Sequence, residues 1–451
     1  MSSSVGVLSG PSEEAFATPE AQANIRKAVM ASTVGTIIEW FDYALYGAAA
    51  GLIINKLFFP QMSAVSGTLA AFATFAVGFF IRPLGGVVIS HFGDKFGRKP
   101  ALIFTIVLMG ASTVGVGLLP GYAQLGVLAP VLLVALRLMQ GFGAGAELAG
   151  AMTLVAEYTP PSRRAFYTAI PNGATVVGIL FATLCFLAVS QLPEDALMSW
   201  GWRVPFLISA VLFFVALYIR KRLDETPEYV AAMERAAVEK KQQKLPLGEL
   251  LRHSPREVFW GFLSVTGHNA NAYILAAFSL NYMTATVGMT RAAALFALMF
   301  SSAVGVVMTP LAGAISDRIG YARVYIFGAV FMVLYAFPLF GLLGTGSLPV
   351  AVVAMSIAYG IGFAGLAGAQ GAFLANLFET RTRFSGIALA RELNGLLIGG
   401  PTPFIAATLV ALGGGSPKLV AGFLMVCCAL TVISVLAVRA RAVHRSTVPE
   451  G

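Results

Sequence analysis

The chain contains twelve apolar stretches, and each is long enough to cross a lipid bilayer as a helix. A transmembrane helix needs about 20 residues, because each residue advances it by about 1.5 Å. Backbone polar groups inside a bilayer must bond to one another, and a helix satisfies them all within one segment. The predicted spans are 28–55, 67–90, 100–119, 126–156, 165–190, 202–220, 257–285, 291–315, 321–341, 347–377, 384–411 and 416–438.

The composition indicates an all-α membrane protein and excludes an ordinary soluble domain. Hydrophobic residues make up 57% of the chain and charged residues 11%, whereas soluble proteins average about 25% charged residues. A charged segment, 221–256, separates the first six spans from the last six. The sequence therefore predicts an N-terminal bundle (28–220), a cytoplasmic linker (221–256) and a C-terminal bundle (257–438), with tails at 1–27 and 439–451.

The net charge of +9 is unevenly distributed. Of the 30 Lys and Arg residues, 23 lie in the tails, the linker or the loops that follow even-numbered spans, and four lie in the other loops. Basic loops remain on the cytoplasmic side of a membrane, so both termini are predicted to be cytoplasmic. This distribution explains the positive charge without a nucleic-acid partner. The expected surroundings are a lipid bilayer, and the expected state is a monomer.

Charged loops recur about half a chain length apart, which indicates an internal duplication. A tight hairpin held by ion pairs can stabilise one of two packings, so we predict a gating role for these loops. The first loop contains Asp94, Lys95, Arg98 and Lys99, and its counterpart contains Asp317 and Arg318. A second repeated pair, at the ends of spans 4 and 10, consists of Glu157 with Arg163 and Glu379 with Arg383.

Span 1 carries four polar residues on one helical face. Glu39, Asp42, Tyr43 and Tyr46 are three or four positions apart, which aligns them on one side of a helix. Ionisable groups inside a bilayer are costly, so this side is too polar to face lipid. We expect it to line a water-filled cavity.

Span 4 supplies Arg137, Gln140 and Glu147. Arg137 and Asp42 are predicted to lie at similar depths, so that protonation of Asp42 would release Arg137 and act as a switch. A permanent structural ion pair is the alternative. We assign Asp42, Arg137, Glu39 and Glu147 to proton coupling.

Two further arginines inside spans are candidates for binding a substrate carboxylate. Arg82 belongs to span 2 and Arg391 to span 11. A guanidinium presents a planar fork of donors that matches the two oxygens of a carboxylate. For Arg82, a structural pair with Glu39 or Glu147 is an equally favoured alternative.

Neutral polar residues could complete the substrate site. Asn394 shares a helical face with Arg391, whereas Glu392 is predicted to lie nearer the face of Gly395 and Gly399. Span 7 contributes a polar cluster, although a single histidine there is more often a packing residue. The remaining candidates are Tyr43, Tyr46, Gln140, His268, Asn269 and Asn271.

The sequence contains no phosphate-binding loop, catalytic constellation or metal-ligand spacing, so we expect neither an enzyme nor a metal or cofactor. Cys185, Cys427 and Cys428 all fall within apolar spans. Buried cysteines usually act as small hydrophobic residues, and we predict that role here.

Five short motifs stand out along the chain. They are Glu39-Trp-Phe-Asp, Arg82-Pro-Leu-Gly, Asp94-Lys-Phe-Gly-Arg-Lys, Arg137-Leu-Met-Gln-Gly and Asp224-Glu-Thr-Pro-Glu-Tyr. Together they resemble the motifs of the major facilitator superfamily, and specifically of its metabolite:proton symporters. In the loop after span 2, Ser90 stands where a glycine is usual in that family, and the rest of the motif matches. This branch of the family includes carriers of shikimate, 2-oxoglutarate, citrate, proline and betaine.

This resemblance implies two pseudo-symmetric six-helix bundles around a central cavity that opens alternately to each side of the membrane. It also implies proton-coupled import of a small polar organic acid through a bacterial plasma (inner) membrane. A betaine-type zwitterion symporter is the nearer alternative. An exporter or a non-transporting sensor is the more distant one.

Overall fold

The computed structural model describes residues 16–86, 88–89, 98–145, 152–153, 155–156, 158–222, 254–378 and 383–447. The six helices of the first half are α1 (Pro19–Phe58), α2 (Ala64–Gly86), α3 (Arg98–Leu118), α4 (Leu128–Ala144), α5 (Pro161–Val189) and α6 (Arg203–Arg222). The second half begins with α7 (Pro255–Tyr273), which continues as Ile274–Phe278, Ser279–Asn281 and Tyr282–Thr286. It is followed by α8 (Arg291–Ile319), α9 (Tyr321–Leu343) and α10 (Leu348–Leu377). The last two helices are α11 (Arg383–Asn394), which continues as Gly395–Gly399 and Thr402–Leu412, and α12 (Lys418–Thr447).

These helices confirm the predicted all-α fold with twelve spans. In the part of the chain that is described, nine helices are long and apolar enough to cross a membrane. The described apolar parts of α3 and α4 are shorter, covering Ile103–Leu118 and Leu128–Ala144. The remaining helix, α7, carries the polar cluster noted in the sequence, which lowers its hydropathy.

Two helices extend beyond their predicted spans. α1 begins at Pro19, because the side chain of Thr18 accepts a hydrogen bond from the Ala21 backbone N–H (3.2 Å) and Pro19 occupies the first turn. α12 continues to Thr447. Both helices therefore continue into segments that the sequence assigned to the tails. We call the end at which α1 begins and α12 ends the terminal face, and the opposite end the distal face.

Each half forms one bundle. In the N-terminal bundle α1 packs on α5, and α3 packs on α4 and α6; in the C-terminal bundle α7 packs on α11 and α12, and α9 on α10 and α12. The bundles meet where α5 packs against α8 and α10, and where α1 and α2 face α7 and α11. Helices of both bundles thus border one central region.

Close helix crossings depend on glycines. An added Cβ on Gly141 would collide with the carbonyl oxygen of Gly78, and one on Gly145 with that of Arg82. Gly141 and Gly145, four residues apart on one face of α4, therefore allow α4 to touch α2 backbone to backbone. This approach brings the charged residues of both helices to the centre.

Candidate functional site

Charged and polar side chains from α1, α2, α4, α7 and α11 converge between the bundles. The four residues aligned on α1, Glu39, Asp42, Tyr43 and Tyr46, are all buried. Trp40, on the same helix, stacks on Tyr273 of α7 with ring centroids 5.4 Å apart. The polar side of α1 therefore faces the interior of the protein and not lipid, whereas the water-filled cavity stays a prediction.

Asp42 lies in a network of neutral donors. Its Oδ2 accepts hydrogen bonds from the Thr113 hydroxyl (2.6 Å) and from the Gln140 side-chain amide (2.9 Å). The amide of Gln140 also donates to Thr113 Oγ1 (2.9 Å). Oδ1 of Asp42 is buried and has no hydrogen-bond partner among the described residues. One carboxylate oxygen is thus held firmly and the other is left unbound.

Arg137 reaches Asp42 through Gln140. Its Nη1 donates to Gln140 Oε1, and its guanidinium lies 3.8 Å from the centre of the Tyr46 ring. Within the described residues, no ion pair joins Arg137 directly to Asp42. The direct pair inferred from the sequence is therefore wrong for this conformation, because the glutamine one helical turn beyond Arg137 occupies the space between the two charges.

Arg82 contacts two carboxylates from different bundles. Its Nη2 donates to Glu39 Oε1 (2.7 Å) and to the Ala144 carbonyl (3.3 Å), and its Nε lies 3.1 Å from Glu392 Oε2. The structural pair with Glu39 is thus present. Glu392 is a residue that the sequence analysis missed, because it was assigned to the glycine face of its helix. The signal that could have identified Glu392 is its position directly after Arg391 in the sequence.

Aromatic rings surround Arg82. The guanidinium carbon lies 5.3 Å from the ring centre of Tyr43 and 5.4 Å from that of Phe79. Phe79 in turn packs against Tyr273 of the other bundle, with centroids 5.5 Å apart. The Tyr43 hydroxyl and the Trp40 indole N–H are buried without hydrogen-bond partners among the described residues. The arginine and unbound polar groups therefore share one pocket-like region between the bundles.

Arg391 has neutral partners. Its Nη1 donates to Gln370 Oε1 (2.7 Å) and lies 3.4 Å from the sulfur of Met152. The Gln370 amide donates to the Tyr325 hydroxyl (3.2 Å), which donates to the Ser264 carbonyl (2.7 Å). No carboxylate of the described residues lies within ion-pair distance of this guanidinium. Gln370 is a further residue of this site that was not predicted from the sequence.

The polar cluster of α7 is split between two environments. Asn269 donates to Asn394 Oδ1 (2.8 Å), and Asn394 donates to Thr266 Oγ1 (2.8 Å), so this pair links α7 to α11. His268 is buried and packs on Phe363, with Nδ1 unbound. The buried side-chain amide of Asn271 has no hydrogen-bond partner among the described residues. Asn269 and Asn394 are thus occupied structurally, whereas His268 and Asn271 retain unused bonding capacity.

The bundles are joined at the terminal face by Asp317. Its carboxylate accepts hydrogen bonds from the backbone N–H groups of Ala165 and Phe166, each at 2.9 Å. These groups belong to the first turn of α5, where unpaired amides favour a negative charge. Arg163 and Arg318 lie exposed nearby, and Arg383 donates a hydrogen bond to the Ala375 carbonyl (2.8 Å).

An ion-pair cluster joins the bundles at the distal face. Glu194, in the connection after α5, lies 3.2 Å from Arg291 of α8 and 3.4 Å from Lys56 of α1. Loop charges outside a repeated motif give no pairing signal, so this cluster was not predicted from the sequence. Close to this face, an added Cβ on Gly51 would lie 3.2 Å from Asn281 of α7.

Several predicted residues cannot be placed in this geometry. Asp94, Lys95, Glu147, Glu157 and Glu379 lie outside the described residues. Arg98 and Lys99 begin α3, but their side chains are likewise outside the description. Their assigned roles in proton coupling and gating stay predictions. Among the residues that are described, no cluster of His, Cys, Asp and Glu has the arrangement of a metal site.

Comparison with known proteins decides the family. The family model of the Major Facilitator Superfamily matches residues 32–400. The chain belongs to the Major Facilitator Superfamily. As a superfamily member it is a multi-pass membrane transporter of small molecules, and it is not an enzyme.

Similar transporters come from several bacteria. The inner membrane metabolite transport protein YhjE of Escherichia coli is 39% identical over 85% of this chain and 87% of that protein. The shikimate transporter of the same organism is 36% identical over 91% and 94%. The glycine betaine/proline/ectoine/pipecolic acid transporter OusA of Dickeya dadantii is 32% identical over 86% and 78%.

A solved structure supports the same fold. The D-xylose-proton symporter superposes with a TM-score of 0.69 over 92% of this chain and 97% of that chain, at 19% identity. At this identity the likeness bears on the fold alone. The predicted superfamily fold, with its two six-helix bundles, is confirmed.

Proposed function

We propose that this transporter is a proton-coupled symporter that imports a small organic acid by alternating access. The observation that carries the proposal is the uneven pairing of three buried arginines. Arg82 is paired with glutamates, whereas Arg137 and Arg391 donate to glutamines. A buried cation that lacks a counter-ion favours binding of an anion.

Arg391 is the primary candidate for binding the substrate carboxylate. It is buried at the junction of the bundles, and its described partners are uncharged. A carboxylate that reached it would gain a charge-assisted, bidentate interaction. The buried polar groups of Asn271 on α7 and of Tyr43 on α1, beside Arg82, could bind hydroxyl groups of the same molecule. The similar shikimate transporter makes a hydroxylated ring acid a suitable first substrate to test.

Asp42 is the primary candidate for carrying the proton. It is buried, its Oδ1 has no described partner, and its link to Arg137 passes through a glutamine. A neutral, protonated Asp42 fits this environment, whereas an ionised one would draw Arg137 toward it. Protonation of Asp42 would thus decide the position of Arg137 on α4.

The bundle contacts support alternating access. Asp317 closes the terminal face and Glu194 the distal face, and each contact joins the two bundles. Opening one side breaks the contacts at that side, whereas those at the other side can persist. We place the terminal face in the cytoplasm of a bacterial cell, on the basis of the basic loops and the inner-membrane relative. The two bundles and the charged linker are the proposed domains.

Replacement of Asp42 by asparagine tests the proton-coupled part of this proposal. In proteoliposomes with an inward-directed proton gradient, the Asp42→Asn variant should no longer accumulate shikimate. Exchange of labelled for unlabelled shikimate should continue. An Asn side chain keeps the hydrogen bonds but cannot take up a proton. Normal gradient-driven accumulation by this variant would refute Asp42 as the proton carrier.

A betaine symporter is the second candidate, because the relative OusA has betaine substrates and aromatic rings line the same region. Aromatic faces attract quaternary ammonium groups. Thermal-shift measurements with shikimate, citrate, 2-oxoglutarate and glycine betaine separate the two functions. A stabilising shift with glycine betaine and none with the acids would replace the organic-acid proposal.

A further inference from the structure

The pairing of Arg82 with two glutamates is asymmetric. Glu39 belongs to α1 and Arg82 to α2, so that both move with the N-terminal bundle, whereas Glu392 belongs to α11 of the other bundle. The Glu39 contact is shorter, at 2.7 Å against 3.1 Å, and the Glu392 side chain is the more exposed carboxylate. One guanidinium therefore has a permanent partner and a partner that must leave when the bundles separate.

The departure of Glu392 would leave two groups unbalanced. Glu392 would become an ionised carboxylate in a largely apolar interior, which is costly unless it takes up a proton or finds a new cation. The Nε edge of Arg82 would become free to bind another carboxylate, while Glu39 continues to hold the Nη2 edge. The neighbouring Arg391 lies on the same helix as Glu392 and has neutral partners.

The charges of this region limit what can bind. Among the described residues, the groups that face Glu392 are Arg82 of α2, Glu39 and Tyr43 of α1, and Arg391 on its own helix. Tyr273 and His268 of α7 are the nearby groups that titrate on that helix. Among these described groups, the charges of two arginines balance those of two glutamates. An added monocarboxylate makes this described set negative, and one added proton restores its balance.

We propose that Glu392 competes with the substrate carboxylate for Arg82 and takes up a proton from solvent when the substrate displaces it. This inference rests on the proposed import of an organic acid and adds a second proton-accepting residue, located inside the substrate site. The substrate carboxylate, bound by Arg391, also replaces Glu392 at the Nε edge of Arg82, and the proton neutralises Glu392 as it leaves. Substrate binding and proton uptake then become a single coupled event.

The pH dependence of shikimate binding tests this competition. We expect calorimetric titration of purified wild-type protein in detergent, from about pH 5 to about pH 8, to show that the affinity for shikimate falls, and its dissociation constant rises, as the pH rises. In the pH range where Glu392 is ionised before substrate binds, the dissociation constant should rise by about tenfold per pH unit, as expected for uptake of one proton. Glu392→Gln should bind shikimate more tightly than wild type at the alkaline end and lose most of this dependence.

Two variants serve as controls. Glu194→Gln also removes an ion pair between the bundles, but at the distal face, so its binding should keep the wild-type pH dependence. Glu392→Asp retains a titratable group on a shorter side chain, and should keep the pH dependence while binding more tightly than wild type at the alkaline end.

Each outcome is decisive. If Glu392→Gln has the dissociation constants of the wild type at every pH, the proposed competition between Glu392 and substrate is overturned, while the proposed import remains intact. If Glu392→Gln does not fold, the same result with Glu392→Asp has the same meaning. A wild-type dissociation constant that does not change with pH would do the same. Failure of wild-type protein to bind shikimate or any acid of the panel would overturn both proposals.

Discussion

At the scale of single residues, the three buried arginines differ in the group that accepts their hydrogen bonds, and this difference separates their roles. A glutamate neutralises the guanidinium, whereas a glutamine oxygen accepts a hydrogen bond and leaves the positive charge in place. Arg82 has two glutamates, and Arg137 and Arg391 each have a glutamine. The two glutamines thus hold arginines in fixed orientations without cancelling the charge that an anion or Asp42 could use.

Replacement of Arg391 by lysine should weaken the binding of organic acids even though the charge is kept. An ammonium lacks the planar fork, and loss of a charge-assisted hydrogen bond costs about 1.5–3 kcal/mol, or at least about tenfold in the dissociation constant. Calorimetric titration with shikimate measures this. The matched control is Arg323→Lys, because Arg323 is exposed on α9 and bonds only to the Ile319 carbonyl of the described residues. Equal weakening in both variants would argue against a binding role for Arg391.

Replacement of Gln140 by methionine should disconnect Asp42 from Arg137. Methionine is similar in size but cannot donate to Asp42 and accept from Arg137 together, as Gln140 does. We expect proton-driven accumulation to fall by about tenfold or more, since loss of one buried hydrogen-bonding partner costs about 1–3 kcal/mol. Exchange in the absence of a gradient should fall less. A parallel fall in both assays would indicate a general folding defect instead.

At the scale of helices, two features position the site. Glycines allow α2 and α4 to touch, which brings Arg82 and Arg137 to the same region. Wider π-helical turns interrupt four of the helices that border it: α1 at Ala50–Ile54, α7 at Ile274–Phe278 and Tyr282–Thr286, α10 at Ala358–Phe363, and α11 at Gly395–Gly399. Such turns are common at functional sites and allow a helix to bend locally.

A single methyl group at the α2–α4 crossing should destabilise the protein. Gly141→Ala would place a Cβ against the carbonyl oxygen of Gly78, which is backbone and cannot move aside. Overpacking of this kind costs about 1–3 kcal/mol, and the thermal unfolding temperature should fall. Gly422→Ala is the control, because no neighbouring atom lies within 4 Å of its added Cβ. That variant should unfold at the wild-type temperature or slightly above it, and an equal drop in both would contradict the crossing argument.

At the scale of the whole molecule, the contacts between the bundles are unequal at the two faces. Among the described residues, the terminal contacts are the Asp317 carboxylate bound to the amides at the start of α5 and a hydrogen bond from Arg164 to Asn376 (3.3 Å). The distal contact is a solvent-exposed ion-pair cluster. Exposed ion pairs contribute little, typically about 0–1 kcal/mol, and weaken with salt. The distal face should therefore open more readily as ionic strength rises.

Asp317→Asn should shift the transporter toward the state that is open at the terminal face. Asparagine keeps one acceptor oxygen but loses the charge that favours the helix start, worth about 1 kcal/mol, or about fivefold in population. Labelling rates of single cysteines at the two mouths measure the shift, in a background without Cys185, Cys427 and Cys428. Glu194→Gln should increase labelling at the distal mouth instead. Equal rates at both mouths in both variants would contradict these gating assignments.

The sequence alone determined the fold and much of the membership of the site. Apolar length fixed the twelve helices, because a bilayer leaves a backbone few other ways to satisfy its hydrogen bonds. Repeated loops indicated the two bundles, and the cost of burying charge marked Glu39, Asp42, Arg82, Arg137 and Arg391 as inward-facing. All five are buried.

Only the tertiary structure decided which of these groups pair. Helical periodicity states the side of a helix on which a residue lies, but the rotation and depth of that helix against its neighbours are set by packing. This is why Gln140 could lie between Asp42 and Arg137, and why Glu392 could reach Arg82 from the opposite bundle. Contacts across the bundle interface join residues far apart in the chain, and a local sequence pattern does not predict which distant residues will meet.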